Sequence, residues 1–214
     1  AYIRIALERA AYAALHGRPG PVYVEIPLDV QNAEVDPEQL LPFIPGPMLR
    51  NEFADHLIKE LVEKLKSAKR PAILVGNGVH LAGAEEIAIG LLCLGIPILT
   101  SWNASDLFDS SFQSLIGRPG LFGDRAGNFT VQNADLLICI GTRLSIPQSG
   151  HHPDMFAPKA EIYSVDIDKI EADKFDISVV CDAKYFLNRF LDLKLPRHLW
   201  PQWLCKCIDW KNKY

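Results

Sequence analysis

The chain has 214 residues, 49% of them hydrophobic and 22% charged, the composition of a globular protein with enough apolar material for one large core, which excludes general disorder. Lys+Arg 22 against Asp+Glu 26 gives a net charge of −4, without the basic excess that marks a nucleic-acid binder. The longest strongly apolar stretch, Ile87–Leu99, is broken by Gly90, Gly95 and Pro97 and falls short of the ~20 residues that span a bilayer, so neither nucleic acid nor membrane is an expected partner.

The chain starts at Ala1-Tyr2, without Met and already in a helical pattern. Ile3, Leu7, Ala10 and Ala14 recur at helical spacing up to the stop at His16-Gly17. Pro21-Val-Tyr-Val-Glu-Ile26 alternates and is β-branched, which predicts a short strand ending at Pro27. Residues 32–50, with Pro37, Pro42, Pro45 and Pro47, read as a semi-rigid linker. A helix is expected from Asn51, its cap, with Phe53, Leu57, Leu61 and Leu65 as the buried stripe.

From there strands and helices alternate. Strands are expected at Pro71–Val75, Ile96–Thr100, Asp135–Ile140, Glu161–Val165 and Ile177–Val180. Helices are expected at about Leu81–Leu94, near Asp124–Asn133 and after Asp182, and Ser101–Gly120 reads as a polar connection. Strands that are apolar throughout and alternate with helices predict an α/β fold, a doubly wound, Rossmann-like parallel sheet with flanking helices. A last amphipathic helix, Leu199–Tyr214, puts Leu199, Trp203, Cys207 and Trp210 on one face, either docked on its own core or bridging to a neighbour.

Ligands of open α/β sheets bind beyond the carboxyl ends of the strands, at the switch point. Gly76-Asn77-Gly78-Val79 follows the first strand there and opens a helix, a turn in which backbone can approach a phosphate; a tight turn with nothing bound is the alternative. Arg143, behind Gly141-Thr142, is either a diphosphate clamp or a surface ion-pair partner. Asp166 ends the fourth strand, where an acid accepts ribose hydroxyls or organises the turn at 168–173. Asp182 ends the fifth and can cap the next helix. His151-His152 has no acidic or Cys partner nearby, and Cys205-Lys-Cys207 has the wrong spacing for a zinc knuckle, so no metal site is expected. Five cysteines without a signal peptide favour a reduced, cytoplasmic setting. No nucleophile with its base emerges from the residues.

Several segments together resemble thiamine diphosphate enzymes of the acetolactate synthase group. Gly17–Gln31 is similar to the end of their pyrimidine-binding domain, and Arg70–Val79, Asn133–Arg143 and Val165–Asp168 to successive stretches of their central domain. The resemblance implies a division into residues 1–31 (end of the pyrimidine-binding domain), 32–50 (linker), 51–195 (central Rossmann-like domain) and 196–214 (a helix leading to a diphosphate-binding domain). It further implies a longer parent enzyme, a carboligase or decarboxylase of 2-oxo acids, homo-oligomeric, that holds thiamine diphosphate and magnesium between its other domains. The family's activating glutamate and its magnesium motif have no counterpart in residues 1–214, so no catalytic or metal-binding residue carries over, and the chain alone is expected to be inactive. In the central domain the family holds FAD, an ADP or coenzyme A moiety, or nothing. The matching cofactor-binding positions are Gly76, Asn77, Gly78, Val79, Gly141, Thr142, Arg143, Asp166 and Asp182. Leu144-Ser-Ile-Pro-Gln148 departs from the charged residues usual after that Arg in acetolactate synthases. The competing expectation is a structural central domain that binds no nucleotide and serves subunit assembly.

Overall fold

The computed structural model describes residues 2–46, 51, 54–193, 195 and 199–214. The chain divides into two compact units, Ala1–Leu49 and Arg50–Tyr214.

In the first unit, α1 (Ile3–Leu15) and the single turn α2 (Leu28–Gln31) flank a segment without regular secondary structure, and a 3-10 turn at Pro37–Gln39 is capped by the Asp36 carboxylate. Glu8 joins α1 to the chain at residue 43, accepting from Arg4 Nε at 2.8 Å and from the Phe43 amide at 2.7 Å. Tyr12 stacks on His16 and meets Phe43 at a tilt. Pro21–Ile26 does not form the expected strand: it carries no regular secondary structure and is largely exposed, and no described segment pairs with it.

The second unit is built on six parallel strands. These are β1 (Pro71–Val75), β2 (Ile98–Thr100), β3 (Leu115–Gly117), β4 (Leu136–Ile140), β5 (Glu161–Asp166) and β6 (Ile177–Val180), in the order β3-β2-β1-β4-β5-β6. That order reverses direction between β1 and β4, the switch point of a doubly wound fold. Every residue of β1 and β4 is buried, as expected where helices cover both faces. The sequence reading missed β3, which is only three residues long, lies at the sheet edge and ends in Gly117.

The helix expected over Leu81–Leu94 is three pieces: α4 (Gly78–Leu81), α5 (Glu85–Ala88) and a 3-10 segment at Ile89–Leu94. Gly83, at φ +57°, ends the first piece, and Gly95, at φ +74°, ends the last. In between, Gly90 lies against the tip of the Leu191 side chain.

The remaining helices are α3 (Ala54–Ser67), α6 (Arg125–Asn133), the short α7 (Ile146–Ser149) and α8 (Lys169–Ala172), α9 (Ala183–Asp192) and α10 (Pro201–Lys213). On α3 the buried positions are Ala54, Ile58, Leu61, Val62 and Leu65; Leu57 is half-buried, Asn51 sits in a 3-10 turn ahead of the helix, and Phe53 lies outside the described residues. Asp55 ties α3 to α9, accepting from Tyr185 Oη and, through both oxygens, from Arg189. Helix α10 docks on its own core: Trp203 and Cys207 are buried, Trp203 Nε1 donates to Pro71 O at 2.9 Å, and Trp200 Nε1 donates to Ala68 O at 2.8 Å. The five thiols are unpaired, with Cys139, Cys181 and Cys207 buried and Cys93 and Cys205 exposed. Burial pushes the Cys181 and Cys207 thiols up to about 12, the behaviour of packing residues rather than nucleophiles.

Candidate functional site

The switch point places the β1–α4 turn (Gly76–Val79) directly against the turn that follows β4 (Gly141–Arg143). Gly76 N donates to Ile140 O at 2.8 Å, Gly78 N to Gly141 O at 2.9 Å, and Gly141 N to Val165 O at 2.8 Å. A Cβ on Gly76 would lie 2.3 Å from Gly141 O, and one on Gly78 would lie 2.6 Å from Gly141 Cα. Gly141 itself is left-handed, at φ +58°. All three glycines are therefore accounted for by the contact between two backbones. The Val79 amide also donates internally, to Gly76 O at 3.2 Å, and Val79 is fully buried. Asn77 leads into α4 without a side-chain cap.

Thr142 is buried and its hydroxyl donates to Gln148 Oε1 at 2.8 Å, which leaves the buried Gln148 Nε2 without a partner. Leu144 takes a left-handed φ of +49°, unusual for a side chain of that size, and turns the chain into α7. The Arg143 side chain is two-thirds exposed, its Nε lying 3.2 Å from Glu171 Oε1. Glu171, at the start of the β5–β6 crossover, is buried and also pairs with Lys174.

Asp166 ends β5, and its carboxylate accepts from the Asp168 amide at 2.9 Å. Asp168 in turn caps α8. Asp182 caps α9, accepting from the amides of Lys184 at 2.8 Å and Tyr185 at 3.2 Å. The fold thus brings Gly76, Asn77, Gly78, Val79, Gly141, Thr142 and Arg143 to the switch point, while Asp166 and Asp182 close the outer strands β5 and β6 and organise the turns that follow them. Among the described residues, no group of His, Cys, Asp and Glu is arranged to hold a metal ion, and no helix is long and apolar enough to cross a membrane.

Sequence reasoning missed His80, one position past the glycine turn. Its Nδ1 lies 3.1 Å from Glu85 Oε1 and its Nε2 3.0 Å from Asp106 Oδ1. Burial opposes the charged imidazole, but the two carboxylates outweigh it and raise its pKa. The doubly bonded ring links the β1–α4 turn to the segment after β2. No motif could have shown this, because Asp106 lies 26 positions away. Gln148 was also missed; its orphaned amide shows only once Thr142 is placed.

An FAD or ADP-like group meets this site unevenly. The glycine amides that would cradle a diphosphate are already engaged, whereas the exposed guanidinium of Arg143 offers donors on one side of the switch point. Arg143 keeps an exposed cation at the 142–148 turn, while at the 76–79 turn the amides of Gly76, Gly78 and Val79 bond within the fold.

The thiamine pyrophosphate enzyme central-domain family matches residues 58–190. The acetolactate synthase large subunit of Corynebacterium glutamicum is 39% identical to this chain over 193 residues, covering 87% of the chain and 30% of that protein. The probable acetolactate synthase large subunit of Methanocaldococcus jannaschii is 36% identical over 192 residues, covering 86% and 32%. The corresponding subunit of Parasynechococcus marenigrum is 30% identical over 220 residues, covering 96% and 35%. The chain spans about a third of the length of these curated relatives. With the matched region running from α3 to α9 across all six strands, the chain belongs to the thiamine pyrophosphate enzyme family as one of its central domains.

Proposed function

We propose that this chain supplies the central domain of a thiamine diphosphate- and magnesium-dependent enzyme that joins or decarboxylates 2-oxo acids, as acetolactate synthases do. The observation that carries the reading is the match of a complete β3-β2-β1-β4-β5-β6 domain to the acetolactate synthase large subunits named above. When bound, thiamine diphosphate supplies the nucleophilic carbon and electron sink for making and breaking the bond beside a 2-oxo group, with magnesium anchoring its diphosphate. None of residues 1–214 is assigned to that chemistry. Their part is to set the spacing of the flanking domains in a homo-oligomer. Five free thiols suit a reducing cytoplasm.

The test is a chimera in which residues 51–195 replace the corresponding domain of the Corynebacterium glutamicum enzyme. Acetolactate formation from pyruvate is expected. A folded, oligomeric chimera that forms none, with its thiamine diphosphate in place, would sink the reading.

Within that function the central crevice has two readings. In the first, an FAD or ADP-like nucleotide rests its diphosphate on Arg143. In the second, the domain is structural, a reading favoured by glycine amides that already bond within the fold. A thermal-shift series with FAD, ADP, NAD and coenzyme A separates them. A ligand at 100 times its dissociation constant adds about 2.7 kcal/mol, or roughly 5–10 °C in Tm. The first reading expects that shift in the original chain and its loss in Arg143→Ala, while the second expects no shift with any of the four.

A further inference from the structure

Beside the edge strand β3 opens a cleft of about 400 Å³ whose walls include none of the residues of the Gly76–Val79 or Gly141–Arg143 turns. Phe108, Leu115 and Ile116 give it an apolar side. Arg118, Arg125 and Lys211 bring three positive side-chain charges to it against one side-chain carboxylate, Asp124.

Each cation is held in place without being neutralised in full. Lys211 Nζ donates to Leu115 O at 2.7 Å and Ser110 O at 3.4 Å; both acceptors are neutral, so the ammonium is fixed and its charge remains. Arg125 sits 5.6 Å from the centroid of the Tyr214 ring, and no carboxylate partner for it occurs among the described residues. Asp124, at the head of α6, does not cap that helix. Its Oδ2 instead accepts from the Arg118 amide at 2.9 Å and lies 3.5 Å from Arg118 Nε. One carboxylate thus holds Arg118, while the guanidinium of Arg125 and the ammonium of Lys211 retain their field. Cations gathered at a concave, partly apolar surface concentrate that field toward whatever enters.

We propose that this cleft is a binding site, distinct from the Gly76–Val79 and Gly141–Arg143 turns, for a small organic anion: a phosphate or carboxylate carried on a flat apolar body. The anionic head meets Arg118, Arg125 and Lys211, and the apolar body lies against Phe108 and the ring of Tyr214. An inorganic ion alone would leave the apolar side unused, and a neutral aromatic would leave the cations uncompensated.

The experiment titrates the 214-residue chain with phenyl phosphate, benzoate, inorganic phosphate and phenol, followed by amide NMR. Phenyl phosphate or benzoate is expected to move the amides of Thr100, Ile116 and Ala126, and their relative affinities identify the preferred head group. Phenol and inorganic phosphate are each expected to bind roughly tenfold more weakly than the better of the two. Raising salt from about 0.02 M to about 0.2 M should weaken binding severalfold. Arg118→Gln and Arg125→Gln alter exposed side chains, so their Tm is expected to hold while the affinity of each drops severalfold. The proposal is overturned if phenol binds as well as phenyl phosphate, if neither anion binds, if both Arg variants bind undiminished, or if the shifted amides are those of Gly76–Val79 and Gly141–Arg143.

Discussion

Two segments of this chain carry the same written signal and meet different fates. Pro21–Ile26 and Pro71–Val75 are both short, β-rich runs opened by proline. The second is the central strand of the sheet, paired on both sides and with Ile73, Leu74 and Val75 wholly buried. The first forms no strand and leaves Tyr23 87% exposed. The difference teaches that a strand is a relation between segments: β-propensity says what suits a pleated, half-buried surface, and the ladder exists only where neighbours supply it. In β1 those neighbours are β2, β4 and, at its first residue, the indole of Trp203.

The largest effect is expected where β1 ends. Gly76→Val puts a branched side chain where a Cβ already meets Gly141 O at 2.3 Å, and a loss of roughly 4 kcal/mol or more is expected, seen as failure to fold or a collapse of the denaturant midpoint. Within the strand, Ile73→Ala empties part of the core and is expected to cost about 2–5 kcal/mol by urea unfolding. At its start, Trp203→Phe keeps most of the apolar contact but removes the donor to Pro71 O, for an expected cost of about 1–3 kcal/mol. Smallest is Tyr23→Ser, expected to stay within about 0.5 kcal/mol because the ring is exposed. Hydrogen exchange should rank the two segments the same way, with β1 amides protected to the global limit and those of 22–26 exchanging fast. Protection of both segments alike would break the comparison.

Much of the fold was legible because burial on both faces writes itself as unbroken apolar runs. Ala72–Val75, Leu136–Ile140 and Ile162–Val165 announce a parallel sheet, and Asp182 announces the helix it caps. What escaped was short or non-local. β3 has three residues, too few for a pattern. The apolar stretch after Leu81 reads as one helix, but Gly83 in a left-handed conformation interrupts it and the part from Ile89 tightens to a 3-10 segment that Gly95 ends. Of the candidate site, the positions could be read and their partners could not. Arg143 was marked, but not the buried Glu171 that holds its Nε; Asp166 was marked, but not the Asp168 amide it binds. A sequence says which side chains stand at strand ends. Whether their hydrogen bonds run outward to a ligand or inward to the next turn is decided by geometry.

The meeting of Gly76 and Gly78 with Gly141 has a consequence for how such chains are recognised. Each turn forbids a side chain on the other, so a substitution in one cannot be rescued by any residue in its partner, and drift is closed off at all three positions together. Two glycine signatures some sixty positions apart will therefore persist through descent as a matched pair, in domains that have lost a nucleotide as surely as in those that keep one. A search that scores glycine spacing alone retrieves the shape of the joint and is blind to its cargo.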